Sequence, residues 1–362
     1  MSAASSLASR GDGASDFDRR TIRIVVLGDL HTYTLWVRPW ELLGKTLAGQ
    51  MNLWLNRRRK FDRSLIAPTI ARAVECRPDL VLMSGDLTTT SRPREFASIA
   101  KDLAPLLDAA PAVIIPGNHD RYTFTAQRSQ RMERAFRPHV PDSFPYTRNL
   151  IGRWKLLGVD ASTPRLVDSC GRFGTRQLQE SRAMLQSVGS DDGVIVLTHY
   201  PIGKPPQLPP MKPGHRLLDE RAWRETLNSC PGRVISIHGH VHVPWLWRPD
   251  MGVLLPKSPQ TTSPVRLLDI NAGAPAHVDD IATHDAGAEQ LEKGGGRRAM
   301  GWPRGQGFWE IELPADPARE IALTHHVMDG GEAPIGFEPS ASEVRSEVKS
   351  ESWISRTVRV AL

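Results

Sequence analysis

Apolar runs of strand length recur along the chain, and amphipathic stretches with helical spacing lie between them. Ile22–Leu27, Leu80–Ser84, Ala112–Ile115, Val194–Leu197 and Arg233–Ile237 are rich in Val, Ile and Leu with little polar alternation. That is the pattern of strands covered on both faces. Trp154–Val159 and Trp245–Trp247 read as further strands, and Phe308–Leu313 with Ile321–Met328 as a closing pair. Ser64–Cys76 carries apolar residues at helical spacing, with Pro68 in a first turn where its missing N–H is harmless, and Glu95–Leu107, the polar Thr123–Phe136 and Thr175–Val188 read as further helices. Strands alternating with helices predict βαβ units and an α/β fold.

Between the first two strands lies an insertion, residues 32–61. Trp40, Leu43, Leu47, Met51 and Trp54 fall on one helical face, which Leu42, Leu53 and Leu55 widen. A face this broad is expected to be buried against something. Arg57-Arg58-Arg59-Lys60 follows at once, with Arg63 behind it. Cations suit a helix C-terminus, and the same run suits a phosphate or lipid surface.

Composition sets outer bounds. A chain of 362 residues with 40% apolar content supports a large core. The longest apolar runs fall short of a membrane span. Residues 2–20 lack the apolar stretch of a signal peptide and read as part of a disordered tail, 1–20. Cys76, Cys170 and Cys230 are odd in number and widely spaced, which fits reduced cytoplasmic thiols better than a disulfide framework. The net charge of +6 favours anionic partners. The segment 203–214 holds five prolines and reads as a loop, as do 258–266 and 285–305, while 330–350 is polar and expected to be mobile.

The chemistry sits where the strands end. Asp29 and His31 follow the first run, Gly85-Asp86 the second, Gly117-Asn118-His119-Asp120 the third, His199 the fourth, and His238-Gly239-His240-Val241-His242 the fifth. Open α/β sheets place their ligand sites at carboxyl ends of strands. On an extended chain, residues two apart point the same way, so Asp29 and His31 are expected to converge. Carboxylates and imidazoles are good ligands for zinc, iron or manganese. Any one of these endings is explained by a strand reaching water; five together are not.

In this order the motifs resemble those of the calcineurin-like metallophosphoesterases, and every ligand position of that pattern is filled. The resemblance covers roughly residues 21–329 and leaves 330–362 as a polar extension. It implies a four-layer sandwich of two mixed β-sheets flanked by helices. It also implies two metal ions, Mn, Fe or Zn, one held by Asp29, His31, Asp86 and His242, the other by Asp86, Asn118, His199 and His240. Asp86 serves both because a carboxylate has two oxygens. Metals roughly 3.5–4 Å apart would hold a bridging hydroxide for in-line attack on a phosphoryl group. The same resemblance makes His119 the acid that protonates the leaving group or steadies the transition state, and Asp120 the residue that orients its imidazole. His238 has no counterpart in the pattern and is expected in the core or behind the ligands; His139, His215, His277, His284, His325 and His326 are unassigned.

For substrate, three readings follow. The apolar and basic insertion is similar to that of the UDP-diacylglucosamine pyrophosphatases, which implies a phosphodiester or pyrophosphate bond in a lipid-linked nucleotide. The broad apolar face followed by four cations suits peripheral contact of residues 36–60 with an anionic membrane, at its cytoplasmic face, with packing on the protein's own core as the alternative. A 3',5'-cyclic nucleotide phosphodiesterase is the alternative with the same motifs. A nuclease is disfavoured, since no aromatic-plus-basic groove is visible. A non-catalytic metal-binding scaffold is a further alternative, but it has no use for His119 and Asp120.

Overall fold

In the computed structural model, residues 21–35, 45–249, 267–278, 307–328, 345–350 and 352–362 are described. From β1 (Thr21–Leu27) the chain runs through α1 (Lys45–Asn52), a π-helical turn Leu53–Arg57 and α2 (Arg58–Lys60) into α3 (Ile66–Glu75). Then come β2 (Leu80–Met83), α4 (Pro93–Ala109), β3 (Ala112–Ile114), α5 (Phe124–Arg128), α6 (Arg131–Ala135), β4 (Tyr146–Asn149) and β5 (Trp154–Gly158). Next are α7 (Gly174–Gln186), β6 (Gly193–Leu197), α8 (Glu220–Asn228), β7 (Arg233–His238), β8 (Trp245–Trp247) and β9 (Leu267–Asn271). The chain closes with β10 (Gly307–Pro314), β11 (Ile321–Met328), β12 (Arg345–Lys349) and β13 (Trp353–Val360).

The strands form two mixed sheets, ordered β12-β13-β11-β10-β1-β2-β3 and β4-β5-β6-β7-β9-β8. β1, β2 and β3 are mutually parallel, as are β5, β6, β7 and β9. Successive residues of a strand face opposite sides, and the uninterrupted apolar runs use both. Ile24 and Val26 of β1 pack towards Ile195, Ile235 and Trp309 in a core between the sheets. Val25 and Leu27 pack outwards against Ile70 and Ala73 of α3 and Phe96, Ile99 and Leu103 of α4. Val194 and Val196 of β6 face Leu185 of α7 and Trp223 and Leu227 of α8. The result is the four-layer α/β sandwich.

Sequence and structure differ in several places. The helix expected over Thr123–Phe136 is broken, because Gln130 takes a left-handed conformation at φ 48°. Just before it, Ser129 donates its hydroxyl to Thr125 O at 2.7 Å and competes with the helical backbone. β4, α8, β9 and β13 were not expected, and β13 brings Val358 and Val360 of the expected polar extension into the core. Part of the polar stretch 330–350 forms β12, which pairs with β13 and extends the first sheet. Residues 1–20, 258–266, 285–305 and 330–344, with Trp40, Leu42, Leu43 and His284, lie outside the described residues.

The insertion departs most. Its buried underside is Gly49, Gln50 and Leu53, and Gln50 Oε1 accepts from Arg92 Nη2 at 2.6 Å. Of the face expected to be buried only Leu53 is so among the described residues, and the rest is outward: Leu47, Met51, Trp54 and Leu55 are 41, 49, 38 and 65% exposed. Helical periodicity marks a stripe but cannot say which side a buried Gln–Arg contact will claim. No helix of the described residues is long and apolar enough to cross a membrane.

Candidate metal centre

Five loops, after β1, β2, β3, β6 and β7, meet at one edge of the sandwich. The loop after β1 is tied to the loop after β2 by Asp29 N to Gly85 O and His31 N to Asp86 O, both 2.9 Å. Within the second sheet, Gly239 N donates to His199 O at 3.1 Å, joining the loops after β7 and β6. Asp29 and His31 converge, but not on extended chain: their φ angles are 49° and 47°, in the left-handed region. Asp86, His240 and His242 share that conformation at 53°, 71° and 65°. It is uncommon for residues with a Cβ and clusters at functional sites. Each loop turns immediately after its strand, and the side chain is thrown back across the sheet edge.

The motif glycines make the close approach possible. A Cβ on Gly239 would lie 2.1 Å from Asp29 Oδ2, and Gly85 sits at φ 93° against the backbone of Gly117. Through the first of these gaps His240 N donates to Asp29 Oδ2 at 2.9 Å, and His119 N donates to Asp86 Oδ1 at 2.7 Å.

Two groups of donor atoms result, and Asp86 belongs to both. In the first, His31 Nε2 lies 2.9 Å from His242 Nε2, 3.8 Å from Asp29 Oδ1 and 3.7 Å from Asp86 Oδ2. In the second, His199 Nε2 lies 3.4 Å from Asp86 Oδ2, 3.1 Å from Asn118 Oδ1 and 3.3 Å from His240 Nδ1. His240 Nδ1 is 3.0 Å from Asn118 Oδ1. Asp29, His31, Asp86, Asn118 and His199 are buried, while His240 and His242 are partly open to the pocket.

The residues fit a pair of cations. Burial drives the Asp29 carboxyl well above its ordinary range, with His199 opposing and Asp86 adding to the rise. Burial acts on Asp86 the same way, but His199, His119 and His31 overcome it and hold that carboxyl well below the ordinary range. Two buried carboxylates side by side need positive charge, and mixed carboxylate and imidazole donors suit borderline divalent metals. The outer nitrogens are also set for ligation. His199 Nδ1 lies 2.8 Å from Ser84 O and His240 Nε2 2.7 Å from His215 O, so a proton on each outer nitrogen leaves the inner one free to bind metal.

His119 Nδ1 lies 2.7 Å from Thr89 O, so Thr89 orients the ring, which stacks on Tyr122 at 5.7 Å and 10°. Asp120 was expected to do this, and it does something else. Its Oδ1 accepts from Thr88 N at 2.9 Å and its Oδ2 from Gly117 N at 3.1 Å, so it braces the backbone that carries Asp86 and Asn118. Its carboxyl is pushed up to about 7 by burial and by Asp86, against three backbone N–H groups.

His238 is in the core, Nε2 2.9 Å from Asp269 Oδ2, and Trp245 Nε1 donates to the same oxygen at 2.8 Å. Sequence reasoning missed Thr89, Tyr122, Phe61 and the flanking His215 and His277. Phe61 packs on His31 at 4.6 Å and His277 faces His242 at 5.5 Å between ring centres. The run Asp120-Arg-Tyr122 was a signal for the tyrosine; nothing local marks the others.

The pocket over the centre is lined by Asp86, Asn118, His119, His240 and His242 on its floor, and by Lys204, Met211, Lys212 and His215 of the proline-rich loop. The family model of the calcineurin-like phosphoesterases matches residues 22–244. Phosphodiesterase YaeI of Escherichia coli is 40% identical over 58 residues, a match covering 16% of this chain and 22% of that protein. Among solved structures, a dimetal phosphatase from Danio rerio is 13% identical with a TM-score of 0.53, covering 84% of this chain and 96% of that one. A purple acid phosphatase from Lupinus luteus is 15% identical with a TM-score of 0.49, covering 84% and 51%. With two donor clusters on one shared carboxylate, and a family match running from β1 to the loop beyond His242, this chain belongs to the calcineurin-like phosphoesterases.

Proposed function

We propose that the chain hydrolyses a phosphodiester or pyrophosphate bond, on a lipid-linked nucleotide of the UDP-diacylglucosamine kind. Asp29, His31, Asp86 and His242 would hold one divalent metal, and Asp86, Asn118, His199 and His240 the other. The observation that carries the reading is the sharing of Asp86 between the two donor groups at the floor of an open pocket. When bound, the two ions supply a water nucleophile at neutral pH and neutralise charge on the phosphoryl oxygens.

The chain's own residues do the rest. Asp29 and Asp86, each fixed by a backbone N–H, keep the donor atoms aimed inwards. A proton on His119 Nδ1 is held by Thr89 O, and the ring lines the pocket, so Nε2 is the atom that gives a proton to the leaving oxygen. Asn118 brings a neutral carbonyl, which leaves the centre positive enough for an anionic ester.

The lipid part of the reading rests on α1. Gly49 packs directly on Tyr122, the ring stacked on His119, so the insertion borders the cleft. Leu47, Met51, Trp54 and Leu55 point away from the protein, with Arg58 exposed one turn on. An apolar face followed by cations suits an anionic bilayer that also holds the substrate's acyl chains.

The test is turnover, with defined Mn²⁺, of bis-p-nitrophenyl phosphate, p-nitrophenyl phosphate, cyclic AMP and a UDP-sugar lipid. Hydrolysis of the diester and the UDP lipid well above the monoester is expected. Turnover of cyclic AMP alone would replace the lipid reading with the cyclic-nucleotide one, and no turnover at all with a full metal complement would leave a scaffold.

A further inference from the structure

The loop between β6 and α8 presents Lys204 and Lys212 to the same pocket as His119 and His242. The ordinary reading of such lysines is two solvated side chains on a surface loop, and three features argue against it. The loop is rich in proline, which restricts its backbone. Its far end is pinned: Ser169 N donates to Gly214 O at 2.7 Å, Gly171 N donates to Arg216 O at 3.1 Å, and Leu208 packs with Val243 and Trp245. It also touches the centre itself, through His215 O and His240 Nε2 at 2.7 Å. The lysines are therefore carried on a fixed wall of the site, one half-buried and one exposed.

Charge then discriminates between substrates. The scissile phosphoryl group of a simple diester bears one negative charge, which the metal floor meets. Two further cations on the wall are surplus for such a substrate. A pyrophosphate diester brings a second phosphate, bonded to the first and directed away from the floor. We infer that Lys204 and Lys212 form an anion subsite for a second phosphate adjoining the scissile one, so that the site prefers pyrophosphate diesters to simple diesters. This rests on the phosphoesterase reading above and narrows its substrate class.

The test uses the full chain loaded with Mn²⁺, as wild type, Lys204→Gln, Lys212→Gln, the double variant, and a Lys204→Arg/Lys212→Arg rescue. Activity is read on bis-p-nitrophenyl phosphate and on UDP-glucose, and inhibition with inorganic phosphate and with methylenediphosphonate, whose P–C–P bridge cannot be cleaved. A lost charge-assisted hydrogen bond weakens binding about tenfold. Each Gln variant should therefore lose about tenfold more in kcat/KM for UDP-glucose than for bis-p-nitrophenyl phosphate. The methylenediphosphonate inhibition constant should rise by a similar factor, the phosphate constant should move less, and the Arg pair should recover most of the difference. Equal losses on both esters, or unchanged diphosphonate inhibition in the double variant, overturns the subsite. Wild type that hydrolyses neither ester overturns the phosphoesterase reading instead, and calorimetric binding of methylenediphosphonate to wild type and double variant then still decides the subsite.

Discussion

His31 Nε2 and His242 Nε2 lie 2.9 Å apart although 211 residues separate them in the chain. One belongs to the loop after β1 in the first sheet, the other to the loop after β7 in the second. The contact closes the edge of the sandwich, and it places two imidazoles where only a shared proton or a cation satisfies both. His31 is buried, whereas His242 stands partly open to the pocket.

That difference sets the first prediction. Asp86→Ala removes the carboxylate common to both donor groups, and purified protein should retain neither metal. His242→Ala removes an outer donor of one group, so one metal should weaken by roughly 10–100-fold while the other stays. Metal analysis after dialysis checks both. Two equivalents bound to Asp86→Ala would defeat the shared-ligand assignment.

The second concerns His119. Changing it to Asn should leave metal content intact and lower kcat by about 10²–10⁴, the usual worth of a positioned acid. The loss should shrink for p-nitrophenyl esters, whose leaving group needs no proton. A loss of equal size with an alkyl leaving group and with p-nitrophenolate would rule out proton donation from Nε2.

How much of this could be read from sequence depends on the range of the interaction. β1, β2, β6 and β7 were legible because strands covered on both faces need continuous apolar runs, and the ligand residues because Asp, Asn and His recur at each strand end. Their backbone was not. Neither Asp29 nor His31 carries a local mark of positive φ, so convergence was expected by the wrong geometry. Asp120 was misread for a similar reason: its partners Thr88 and Gly117 reach it only through the folded loops. α1 was correctly placed as a helix and turned the wrong way round, because the Arg92–Gln50 contact that fixes its buried side spans 42 residues. β12 escaped notice because an edge strand need not be apolar.

The third prediction follows from that outward face. The protein should cosediment with anionic vesicles at low salt and much less at high salt. Arg57, Arg58, Arg59 and Lys60 changed together to Ser should abolish binding, each cation contributing about 1 kcal/mol near such a surface. Leu55→Ser should weaken it while leaving the fold intact, since that side chain is largely exposed. Wild type that ignores vesicles at low salt would remove the lipid surface from the functional reading.

The last concerns stability in acid, far from the metal centre. His325 of β11 is fully buried, packed on Trp309 at 4.8 Å between ring centres in the core between the sheets. Neither ring nitrogen has a hydrogen-bond partner among the described residues. Burial, with His326 and Arg356 adding, lowers its pKa to about 3. In the unfolded chain an imidazole titrates near about 6.5. Between those values the unfolded state holds a proton that the folded state does not, so stability falls as pH falls. The contribution is complete above the unfolded value and is lost on the way down to about 3. One proton corresponds to a slope of about 1.4 kcal/mol per pH unit. Urea unfolding at pH 7, 6, 5 and 4 measures it. His325→Gln cannot take up that proton, so its stability should decline less steeply over this range, whatever its absolute value at pH 7. Parallel pH profiles for the two proteins would show that His325 is not the neutral, proton-excluding group its burial implies.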